Sequence, residues 1–100
     1  MNNLPGGFRT ELNKPTDNEN EILYNLKESI ETELGQQFNQ FELVDFTTQI
    51  VAGVIYLMRV RVDEDEFLHV KIIKPLPYTN LPPSIMNVRR GFTIDSPLQP

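Results

Sequence analysis

The chain has 100 residues, a net charge of −5 and no cysteine. A chain of this length buries roughly 60 to 70% of the surface its unfolded form exposes, enough for one two-layer core and a single domain over residues 1–100. The missing cysteines exclude disulfide staples, a thiolate zinc site and a cysteine nucleophile, and the acidic balance argues against a phosphate-backbone ligand, so no nucleic-acid partner is expected.

Residues 1–15 mix Gly, Pro, Asn and charges without periodicity and predict an extended arm, with residues 1–7 a mobile trunk. They show neither the basic start nor the apolar run of a secretory signal, and no stretch approaches a membrane span. With no cysteines, this predicts a cytoplasmic protein with no membrane partner. Thr16 followed by Glu19 fits a capping box. Leu23, Leu26, Ile30 and Leu34 then recur at helical spacing until Gly35, which predicts one amphipathic helix over 16–35 with its aliphatic stripe toward the core.

After residue 39 the hydrophobic period falls from about 3.6 to 2. Phe41 to Gln49 is a first strand, with an irregularity at Leu43-Val44 that predicts a bulge. Val54, Tyr56, Met58, Val60 and Val62 alternate with Ile55, Leu57, Arg59 and Arg61, so one face of a second strand is wholly apolar. Asp63 to Glu66 is a turn, Phe67 to Lys74 repeats the alternation with Leu68, Val70 and Ile72 inward, and a last strand runs from about Ile85 to Ile94 after a Pro-rich loop. The expected fold class is α+β: antiparallel strands within residues 41–95 in a meander wrapped around one amphipathic helix.

The catalytic inventory is thin. His69, between Leu68 and Val70 and in phase with Lys71, is expected on the solvent-facing side, and no Ser-His-Asp or Cys-His set assembles around it. Asp63-Glu64-Asp65-Glu66 lacks the spaced oxygens and central glycine of a calcium loop and reads as a solvated turn. Arg89-Arg90-Gly91 reads as the exposed side of the last strand. No catalytic residue, metal ligand or cofactor is expected, and the chain is not read as an enzyme.

The loops carry the signal. The tip Gln49-Ile50-Val51-Ala52-Gly53 is aliphatic where a hairpin usually places Asn-Gly or Asp-Gly. Alternate turns of a meander emerge at the same end, so this tip should share a rim with Pro75-Leu76-Pro77-Tyr78, and Leu4-Pro5-Gly6-Gly7 can reach the same edge. Taken alone, the tip also fits a hairpin whose Ile50 and Val51 fold back onto their own sheet.

These motifs, in this order and spacing, resemble a stefin, a type 1 cystatin and reversible inhibitor of papain-like cysteine proteases. Gln49-Ile50-Val51-Ala52-Gly53 is similar to the family's Gln-Val-Val-Ala-Gly hairpin, Leu4-Pro5-Gly6-Gly7 to its N-terminal glycine trunk, and Leu76-Pro77 to its second hairpin. Phe67-Leu68-His69-Val70-Lys71 and Arg90-Gly91-Phe92 extend the resemblance over nearly the whole chain, while the Pro-rich stretch to Pro83 and the tail Ser96 to Pro100 depart from it. The resemblance implies a cystatin-like fold and a tight-binding wedge for proteases of the cathepsin type. Leu4, Pro5, Gly6 and Gly7 would lie along the acyl side of the groove, with Gly6 nearest the catalytic centre. Gln49, Ile50, Val51, Ala52, Gly53, Leu76, Pro77 and Tyr78 would fill the leaving-group side. The alternative is a non-inhibitory cystatin-fold interaction domain. A monomer is expected, able to swap domains by opening the hairpin at Gln49 to Gly53. A charge at Gly53 is expected to impair binding at little cost in stability.

Overall fold

The computed structural model describes residues 11–99; the trunk with Leu4, Pro5, Gly6 and Gly7 lies outside them. Thr16 caps α1 (Asp17–Asn25): the Glu19 carboxylate accepts from the Thr16 backbone N–H at 2.8 Å and from its hydroxyl at 2.6 Å. Burial pushes the Glu19 carboxyl up, but these bonds and one from Asn18 outweigh it and hold the pKa below the ordinary value. A single helix over 16–35 is not what forms. Leu26 leaves the helical region (φ −105°, ψ 1°), its N–H donates to Leu23 O, and the chain restarts as α2 (Lys27–Leu34). No glycine or proline marks this break, and the apolar repeat continues through it. Gly35 ends α2 at φ +68°, with Gln36 N donating to Glu31 O and Gly35 N to Thr32 O in a Schellman closure.

Four antiparallel strands follow, β1 (Glu42–Val51), β2 (Gly53–Arg61), β3 (Phe67–Pro75) and β4 (Ser84–Phe92), ordered β1-β2-β3-β4. The expected bulge is present, since the β1–β2 register slips between Leu43 and Asp45. The last strand ends at Phe92, short of Ile94. One sheet face joins the helices in the main core. Ile22, Leu23 and Ile30 pack with Phe38, Phe41, Leu43, Phe46, Tyr56, Met58, Val60, Leu68, Val70, Ile72 and Val88, and Leu26 and Leu34 cover its edge. Each of these larger side chains contributes about 1.5 to 3 kcal/mol on burial, which makes this layer the main source of stability.

The opposite face corrects the expectation for His69. Its side chain is 2% exposed and stacks on Phe92 with ring centroids 3.7 Å apart. Residues 93–99 fold back across this face. Arg59, 4% exposed, donates to Asp45 Oδ1 at 2.8 Å and to the carbonyls of Ile94 and Ser96 at 2.8 and 2.6 Å, and Leu98 and Ile73 pack on Ile55 and Leu57. The strand pattern placed His69 on the correct face but said nothing of a tail covering it. Burial, reinforced by Arg59 and Arg89 and opposed by Asp45, lowers the His69 pKa to about 4.

Candidate functional site

The rim where β2 starts and β3 ends brings two of the three expected segments together. Val51 pairs with Gly53 across the turn at Ala52, and Gly53 in turn pairs with Pro75 of β3. Gly53 makes this junction sterically. Its φ is +125°, and a Cβ there would collide with the Lys74 carbonyl oxygen and come within 3.1 Å of Pro75 Cα and 3.3 Å of Leu76 N. The first hairpin therefore leans directly on the root of the second loop. Gly53 itself is buried beneath the tip, so a side chain at this position strains the fold as well as the surface, contrary to the expectation of little cost.

Ile50 and Val51 do not fold back onto the sheet: Ile50 is 67% exposed, and Val51 and Ala52 are exposed beside it. Gln49 is half-buried in β1 opposite Ile55. In the second loop Leu76 is half-buried, while Pro77 and Tyr78 are exposed, Tyr78 at 80%. Residues Pro77–Thr79 form a 3-10 turn whose first residue is proline; Thr79 N and Oγ1 donate to Leu76 O at 3.0 and 2.7 Å, and Asn80 closes it at φ +56°. The loop is thus locked by its own bonds. Sequence reasoning passed over Leu81, exposed at 64% on the same loop; an aliphatic residue between Asn80 and Pro82 at a strand-free crest was the available signal.

The third segment is approached from the described side only. Asn13 bridges Phe46 of β1 antiparallel, with N···O distances of 2.8 and 3.1 Å, so going from Asn13 back to Glu11 the chain heads toward the rim. Among the described residues no cluster of His, Asp and Glu could hold a metal ion, and no helix is long and apolar enough to cross a membrane. What the rim offers chemically is apolar surface on stiff backbone, suited to filling a cleft.

Residues 11–86 match the cystatin domain. The chain is 33% identical to cystatin-A1 of Sus scrofa over 95% of its own length and 91% of that protein's, and 30% identical to cystatin-A of Felis catus over 95% and 96%. It is 40% identical to stefin-C of Bos taurus over 57% of its length and 56% of that protein's. The chain belongs to the cystatin family, on the type 1 branch formed by the stefins. Its place there is among protease inhibitors, and it is not an enzyme.

Proposed function

We propose that the chain is a reversible, tight-binding inhibitor of papain-like cysteine proteases of the cathepsin type, and that it works in the cytoplasm as a monomer. The observation that carries this reading is the rim: Ile50 and Val51 on one tip and Pro77 and Tyr78 on the next stand exposed and are joined through Gly53, Pro75 and Leu76. Ala52 keeps the first tip narrow, and Gln49, Leu76 and the trunk residues Leu4, Pro5, Gly6 and Gly7 complete the wedge in the family's arrangement. A wedge of this kind excludes substrate without presenting a scissile peptide to the thiolate. Affinity comes from stiff apolar loops that lose little freedom on docking.

Titration into papain with a fluorogenic peptide tests the reading. Stoichiometric loss of activity at nanomolar enzyme is expected, whereas full activity at micromolar inhibitor would assign the chain to the non-inhibitory interaction domains.

A further inference from the structure

Residues 76–83 connect the last paired residues of β3 and β4, Gly53 with Pro75 and Ile73 with Ser84, and make a longer loop than the one-residue turn at Ala52. It is stiff throughout. Pro77, Pro82 and Pro83 fix φ at three positions, Asn80 N donates to Pro77 O at 3.1 Å, and Leu81 N lies 3.3 Å from Thr79 Oγ1 as its donor. Pro82 and Pro83 face α1 across a groove of about 430 Å³ shared with Ile22, Leu26 and Lys74; Leu81 is not part of its walls and stands at the crest.

The apolar surface at this end is concentrated. Among the described residues, eight large apolar side chains are exposed, and four of them, Ile50, Val51, Tyr78 and Leu81, sit on the two rim loops. Leu76, by contrast, is half-buried, with its carbonyl tied into the 3-10 turn and its N–H beside Gly53. The family-like Leu76 therefore supports the loop, and the area that loop can bury against a partner belongs to the residues after it. Locked loops that display large apolar groups to water mark contact surfaces.

We infer that Leu81, together with Tyr78, is a specificity-determining contact of the second loop with the leaving-group side of a papain-like groove, outweighing Leu76. This rests on the inhibitor reading above. Tyr78 is of a type enriched at interface hot spots, and Leu81, three residues on, adds exposed aliphatic area to the same loop. It favours enzymes whose groove continues as an apolar wall past the leaving group.

The test uses the full chain with papain, measuring inhibition constants, dissociation rates and thermal melts for Leu81→Ala, Leu81→Met, Tyr78→Ala and Leu76→Ala. Leu81→Ala should raise the inhibition constant about tenfold, mainly through faster dissociation, with the melting temperature unchanged, because only an exposed contact is lost. Leu81→Met should restore most of the affinity, and Leu76→Ala should cost less than either Leu81→Ala or Tyr78→Ala. If the parent protein inhibits but Leu81→Ala inhibits equally well, the Leu81 contact falls and the inhibitor reading stands. If the loss follows a lowered melting temperature, Leu81 is a structural residue. A parent protein without effect on papain removes both. Sedimentation over a concentration series completes the test: self-association abolished by Leu81→Ala would assign the crest to a second copy of this chain instead.

Discussion

The two ends of the sheet close their strands in opposite ways. At the far end, the Asp63 to Glu66 turn is charged and satisfied by its own atoms: Val62 N and Asp63 N donate to Glu66 O, Glu64 N donates to Asp63 Oδ1, and Arg61 reaches Glu64 O. Arg90 then ties that turn across the sheet, donating to both Glu66 carboxylate oxygens and to Gln36 Oε1. At the rim, the turns present Ile50, Val51, Tyr78 and Leu81 to solvent. Both ends are well ordered by local bonds, so rigidity alone does not separate them. The difference is that one end is charged and ties its turn through bonds within the chain, while the other exposes apolar surface.

The severest way to break this comparison is to open the rim. A domain-swapped dimer formed by straightening Gln49 to Gly53 should lose inhibition altogether, because the Val51–Gly53 pairing that closes the first tip is then lost and β1 pairs with β2 of the other chain. Size-exclusion purification of a heat-induced dimer followed by a papain assay checks it, and full activity in the dimer would uncouple hinge from wedge. Gly53→Glu should come next, raising the inhibition constant at least a hundredfold. It should also cost about 2 to 4 kcal/mol in chemical denaturation, from positive-φ strain and the collision with Lys74. Native stability in that variant would contradict the packing described for the rim.

Deleting residues 1–6 sharpens the comparison by leaving both hairpins intact. Dissociation from papain should quicken about tenfold or more with association little changed, as expected when an apolar anchor is removed after docking. Stopped-flow displacement measures this, and an unaltered dissociation rate would make the trunk a bystander.

Acid should act away from both ends, on the face under the tail. His69 has a folded pKa lowered to about 4 from an ordinary 6.5, so as pH falls from about 6.5 to 4 the unfolded chain gains a proton that the folded chain refuses. Its share of stability is present above that window and is lost through it, by about 3 kcal/mol. His69→Gln should flatten the pH dependence of unfolding over this range. Hydrogen exchange should show residues 93–99 loosening first, since their contacts to Arg59 cover His69. A pH profile identical in the variant would remove His69 as the cause.

The smallest effect belongs to the far end. Glu66→Ala breaks a half-exposed pair with Arg90 and should change stability by about 1 kcal/mol or less, leaving papain inhibition unchanged. Thermal melts and the same titration suffice, and a loss of inhibition here would erase the contrast between the ends.

Much of the fold was legible along the chain because the forces that set it are local or periodic. Thr16 and Glu19 are three residues apart, Gly35 ends the helical stretch by its own φ, and the shift in apolar period shows where strands begin. The aliphatic tip at Ile50-Val51 likewise stood out as a turn of unusual composition. The interruption at Leu26 left no trace, since the apolar repeat runs on and no breaker residue stands there. Periodicity also names a residue's face without naming what covers it. Arg59 meets the carbonyls of Ile94 and Ser96 across 35 and 37 positions, and that long-range return of the tail, together with Phe92 stacked on the ring, buries His69. The role of Gly53 was half visible: a glycine in a turn is expected, but its contact with Lys74, Pro75 and Leu76 exists only once β2 and β3 are in register. The sequence by itself determined the strands, their order and the apolar character of the rim; the tertiary structure alone decided where the helical stretch breaks and which rim residues stay exposed, because both depend on neighbours that chain distance does not record.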